Sequence, residues 1–135
     1  MDYNALLKPG ITAEKTQTVA DGNTADSLGS GGLPVFATPA MIALMEMTAV
    51  AAVDHLLPEG WATVGTELNV RHLSATPPGM TVRARAELLE IDRRRLVFSV
   101  EAFDGAGKIG EGVHGRFIIE KEKFLKKTAE KKRPH

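Results

Sequence analysis

The segment TPAMIALMEMTAVAAVDHLLPEG, Thr38 to Gly60, constrains this chain more than any other. Thr38 followed by Pro39 reads as a helix start, since a threonine hydroxyl accepts from a first-turn N–H and proline is pre-set for the first helical position. Leu57-Pro58-Glu59-Gly60 reads as the stop. Between them Met41, Ile42, Ala43, Leu44, Met45, Met47, Ala49, Val50, Ala51, Ala52 and Val53 leave the helix almost no polar side, so it must be covered all round. The apolar run from Pro39 to Val53 is shorter than the roughly 20 residues a bilayer demands and carries Glu46 at its middle, so the expectation is a core helix wrapped by a sheet and no membrane partner. Glu46 is the anomaly. Its helical neighbours are Ile42, Ala43, Ala49 and Val50, and a carboxylate there is costly unless it is paired, reaches the surface or serves a site.

The chain has 135 residues, 43% hydrophobic and 25% charged, which describes one soluble globular domain. Lys+Arg and Asp+Glu both number 17, which gives no reason to expect nucleic acid. With no cysteine there is no disulfide, thiolate zinc site or cysteine nucleophile, and His55, His72, His114 and His135 lack ligand spacing with acids, so no metal is expected. MDYNALLKPG has neither a basic start nor an apolar core of the export type, so a cytoplasmic protein is expected.

Pro9-Gly10 makes a turn before Ala13–Val19, a candidate edge strand. Residues 21–33 are rich in Gly, Ser, Asn and Asp and form a loop able to act as a lid. After the helix the period becomes two. Val64, Thr66, Leu68, Val70 and His72 share an inward face, and Thr76-Pro77-Pro78-Gly79 ends that strand. Val82, Ala84, Ala86 and Leu88 face inward on the next, whose parity slips at Leu89 and Ile91 as at a bulge. A turn at 92–94 leads to Arg95–Phe103, and Asp104-Gly105-Ala106-Gly107 signals a hairpin before Ile109–Glu120, completing a four-stranded antiparallel meander. On the last strand Val113, Phe117 and Ile119 share one face, and His114 and Arg116, with Ile118, share the other, which by default is solvated. Residues 1–120 thus form one domain, and 121–135 a basic helix or tail with seven Lys/Arg against two acids.

One long helix with antiparallel strands around it is an α+β protein of the hotdog arrangement, a sheet rolled about a central helix. Its open sheet edge and partly apolar outer face favour pairing with a second copy. Beyond this, VFAT (35–38), LME (44–46), the strand from Gly65-Thr66 to His72, ATPPG (75–79), FDGAGKIGEGVHGR (103–116) and the basic tail resemble the fluoroacetyl-CoA thioesterase branch of the hotdog superfamily. The resemblance implies hydrolysis of a small acyl-CoA in a pocket between the subunits of a homodimer. It implies no cofactor, since CoA is part of the substrate. It makes Thr38, Glu46 and His72 the catalytic residues, Gly65 the oxyanion donor and Arg116 a nearby substrate-binding arginine. Lid phenylalanines of the fluoroacetate-selective member align with Gly29 and Gly32, so the hydrophobic gate is missing and the expectation extends only to a short acyl-CoA.

A thioester needs a positioned nucleophile, a base near neutral pKa and donors for the developing oxyanion. His72 is the base and later the acid. Glu46 either orients that imidazole or attacks the carbonyl itself, and Thr38 positions water, bonds the histidine or merely caps the helix. Thr38 and Glu46 are eight residues apart, about 12 Å along a helix, so either His72 bridges them or a second subunit supplies one member. A hotdog enoyl-CoA hydratase and a non-catalytic acyl-CoA binding protein are the competing readings.

Overall fold

The computed structural model describes residues 2–133; Met1, Pro134 and His135 lie outside them, and with them the end of the expected tail. A short helix α1 (Tyr3–Leu6) leads to β1 (Thr12–Thr18), and the 21–33 loop contains one helical turn, α2 (Ala25–Leu28). The long helix α3 spans Thr38–Val53 and ends in a 3₁₀ turn at Asp54–Leu56. Then come β2 (Trp61–His72), β3 (Thr81–Asp92), β4 (Arg95–Asp104), β5 (Gly107–Glu120) and a final helix α4 (Lys121–Ala129).

The sheet is antiparallel in the order β1-β3-β4-β5-β2. Only β3, β4 and β5 follow one another as hairpins, so the expected four-stranded meander is corrected. Strand β2 is carried past β3 by residues 73–80 and pairs with β5 at the far edge. Hydrogen bonds between Val19 and the Gly79-Met80 backbone (2.8 and 2.9 Å) fasten this connection beside β1.

The core lies between α3 and the inner faces of β3 and β4. Val82, Ala84, Ala86 and Leu88 of β3 and Leu96, Phe98 and Val100 of β4 are wholly buried, as alternation predicts for a half-covered sheet. The bulge expected at Leu89 is there. By length and composition Thr38–Leu56 would suffice to cross a membrane, but its apolar residues serve the core. Ala40, Met41, Leu44, Met45, Ala49, Ala52 and Val53 are buried, and Thr48 satisfies its hydroxyl by donating to the Leu44 carbonyl at 2.7 Å. The cover is incomplete, contrary to expectation: Ala43 is exposed and Met47 is 45% exposed, on the side where Glu46 emerges.

Two facings differ from the sequence reading. In β2 an extra residue, Thr66, sits between Gly65, which pairs with Arg116, and Glu67, which pairs with Gly115. Cross-strand partners share a face. Thr63 and Gly65 therefore face inward before the bulge and Leu68, Val70 and His72 after it, while Val64 points out. In β5 the expected solvated face is the buried one: His114, Arg116 and Ile118 are 0, 5 and 0% exposed, whereas Val113 and Phe117 are 47 and 39% exposed. Pairing with buried Leu96 and Phe98 of β4 fixes this. The apolar outer residues Phe117 and Ile119 meet Phe124 of α4 in a shallow groove.

Gly112 marks how tightly β5 meets β2. A Cβ there would lie 2.2 Å from the Asn69 carbonyl oxygen and 2.6 Å from the Val70 Cα, and backbone cannot step aside. Gly112→Ala is expected to lower the thermal midpoint by roughly 10 °C, read by differential scanning calorimetry.

Candidate active site

Thr38 opens α3 and His72 closes β2, and the two meet: Thr38 Oγ1 lies 2.7 Å from His72 Nδ1. Ala37 is the N-cap and no side chain caps the helix, so the capping role open to Thr38 is not the one it takes. Packing brings the pair together. Opposite His72 stands Gly110, where a Cβ would fall 2.5 Å from Met41 Sδ, so the glycine lets the first turn of α3 press against the end of β2 and β5. Bonds from the Phe36 N–H to the Thr76 carbonyl and from the Ala37 N–H to the Asn23 carbonyl, both 2.9 Å, fix the approach.

The pair lines a cavity of about 290 Å³ whose other walls include Phe36, Ser74 and, from the 21–33 loop, Ala25 and Ser30. Gly29 of that loop has φ +77°, the left-handed region, where a bulky side chain is strained. Among the described residues, His72 Nε2 is buried with no hydrogen-bond partner. An orphaned buried nitrogen of this kind costs about 1–3 kcal/mol, which a bound water or substrate would recover. Burial holds the imidazole below its ordinary pKa, opposed by the Ser74 backbone, so His72 is neutral at pH 7.

Glu46, two turns further along α3, opens into a second cleft of about 570 Å³ with Lys15, Ala43, Met47, Val50 and Arg116. Arg116 Nη1 donates to Glu46 Oε2 at 3.3 Å and to His114 Nε2 at 3.1 Å. His114 Nδ1 donates to the Glu67 carbonyl at 2.8 Å, so its Nε2 is the acceptor and the ring is neutral. Burial lowers the His114 pKa; the Glu67 carbonyl opposes this, the Arg116 cation adds to it and Glu46 opposes it. Gly65 lies so close that a Cβ on it would stand 2.5 Å from Glu46 Oε2.

The five expected residues thus fall into two groups, Thr38 with His72 and Glu46 with Gly65 and Arg116. The single chain does not join them: Glu46 is partnered by Arg116, with His114 alongside, and not by His72. His114 escaped the sequence reading because it stood beside Arg116 on an apparently solvated face; the facing Gly65–Arg116 pair is the signal that places both inside.

Half-buried His72 and buried His114 both have folded-state pKa values below the unfolded 6.5. The unfolded chain therefore binds more protons in that interval, and stability that is complete above pH 6.5 is lost as pH falls through the lowered values. Thermal melts should show a lower midpoint at pH 5 than at pH 7.5, and the acid limb of kcat/KM should lie below pH 6.5.

A helix laid on a five-stranded antiparallel sheet in this order defines a hotdog-fold protein. A hotdog-like protein from Thermanaerovibrio acidaminovorans superposes with a TM-score of 0.92 at 26% identity, covering 100% of both chains. Residues 19–122 match the family described as fluoroacetyl-CoA-specific thioesterase. The fluoroacetyl-CoA thioesterase of Streptantibioticus cattleyicolor is 45% identical over 97 residues, 72% of this chain and 70% of that protein. A solved structure of a fluoroacetyl-CoA thioesterase matches with a TM-score of 0.87 at 36% identity, covering 95% of this chain and 98% of that one. The chain belongs to the fluoroacetyl-CoA-specific thioesterase family and is a thioester hydrolase.

Proposed function

We propose that this protein hydrolyses a short-chain acyl-CoA to the free acid and CoA, in a site shared by two copies of the chain. The observation that carries the reading is the neutral His72, which lines a small cavity with its Nε2 buried and, among the described residues, without a partner, while Nδ1 is tied to Thr38. Variants of the related thioesterase have been solved in complex with acetyl-CoA and with fluoroacetate and CoA, which supports a CoA thioester as the substrate.

In this reading Nδ1 donates to the Thr38 hydroxyl, which leaves the Nε2 lone pair as general base. It takes a proton from water as the oxygen attacks the thioester carbonyl, and the Gly65 N–H holds the oxyanion. Collapse expels CoA as thiolate, and the imidazolium returns the proton to sulfur. The carboxylate of Glu46 stabilises the imidazolium. Since one chain keeps Glu46 and His72 in different clefts, the Glu46–Gly65–Arg116 group of one copy faces the Thr38–His72 pair of the other. The exposed Ala43 and Met47 beside Glu46 favour a second copy there.

The test is thiol release from acetyl-, propionyl- and fluoroacetyl-CoA, with crotonyl-CoA hydration as control. Release from acetyl-CoA is expected, with fluoroacetyl-CoA preferred by less than about tenfold in kcat/KM. Hydration without thiol release, or CoA binding without turnover, would overturn the proposal.

A further inference from the structure

Arg116 is a cation 5% exposed, and what holds it is as informative as what it touches. Its Nε donates to Thr63 Oγ1 at 2.8 Å and its Nη2 to the Thr63 carbonyl at 3.0 Å, while Nη1 serves His114 Nε2 and Glu46 Oε2. Four of the five guanidinium N–H groups are thereby committed. Thr63 is oriented in turn, since its hydroxyl donates to Asp54 Oδ1 at 2.5 Å and its N–H to Asp54 Oδ2 at 3.2 Å. With the hydroxyl proton spent on Asp54, only lone pairs face Arg116.

We infer that Asp54, Thr63 and His114 are positioning residues that lock Arg116 in the single rotamer from which it aims the Glu46 carboxylate. None of the three reaches the cleft where Glu46 opens. The chain of contacts starts in the 3₁₀ turn after α3, crosses β2 at Thr63, reaches β5 at Arg116 and returns to the middle of α3 at Glu46. It ties both the position and the direction of the carboxylate to the sheet. Lys15 also faces that cleft, so an Arg116 free to swing would leave Glu46 with a second, flexible cation to follow. His114 closes the remaining side as an uncharged acceptor.

The inference rests on the thioesterase reading for its kinetic readout but has one of its own. In Thr63→Val, kcat for acetyl-CoA should fall at least about tenfold with KM changed less than about twofold, and Thr63→Ser should restore kcat to within about twofold of the parent. Independently of turnover, ¹⁵N NMR should show an arginine Nε–H that exchanges slowly in the parent and in Thr63→Ser, is absent in Arg116→Lys, and loses its protection in Thr63→Val. Asp54→Asn, which keeps the threonine, should weaken that protection and serves if Thr63→Val fails to fold. Unchanged kcat and protection in Thr63→Val, or a Thr63→Ser as impaired as Thr63→Val, would overturn the inference. Protection without thioester hydrolysis in the parent would overturn the proposed function and leave the clamp standing.

Discussion

Glu46→Ala and His72→Ala should each lower kcat/KM for acetyl-CoA at least about a hundredfold, equivalent to about 2.7 kcal/mol of transition-state stabilisation. Both should remain folded, because the Glu46 side chain is 38% exposed and His72 lies at the wall of a cavity, so neither truncation empties the core. The mixed experiment is sharper. If each site takes Glu46 from one copy and His72 from the other, a heterodimer of the two inactive variants has one site that lacks both residues and one that is intact. Unfolding and refolding the variants together in equal amounts should then recover about a quarter of the parent activity, half the dimers being mixed and each mixed dimer carrying one good site of two. No recovery from a verified mixture would place the two residues in one chain's site and end the shared-cavity reading.

Gly65→Ala should cost about fiftyfold in kcat while moving the thermal midpoint by less than about 3 °C. The added methyl would meet Glu46 Oε2 at 2.5 Å and stand 3.3 and 3.4 Å from the His114 ring and Arg116 Nη1. The nearest atom is the end of a side chain and not main chain, so the carboxylate yields, giving up its aim from Arg116, and the backbone stays. This is the converse of Gly112, where the obstacle is main chain. Measuring kcat and melting temperature on both variants separates the outcomes; a Gly65→Ala protein with parental kcat would show that the direction of Glu46 is immaterial to turnover.

The helix and the acid within it were legible because an apolar run interrupted by one charge is a property of the chain read in one dimension. The inner face of β3 was legible because Val82, Ala84, Ala86 and Leu88 alternate cleanly over a core. The facing of β5 was not, since its outer residues Phe117 and Ile119 are apolar for a reason that lies elsewhere, in Phe124 of α4, and its inner His114 and Arg116 are polar because they form a site. Polarity therefore pointed the wrong way on both faces. The order of the strands was also hidden, since nothing local in Leu73–Met80 says whether the chain turns back or crosses over. Thr38 and His72, far apart in sequence, were linked by resemblance and by the demand for a base, and the structure supplies the bond between them.

The bulge at Thr66 has a consequence for how this strand can vary. Gly65 and His72 are seven positions apart, an odd number, so on an unbroken pleat they would look in opposite directions. The one supernumerary residue lets both look inward. Almost any amino acid could stand at position 66 without disturbing this, but shortening the chain there by a single residue would turn one half of the strand inside out. That makes position 66 indifferent to spelling and intolerant of deletion.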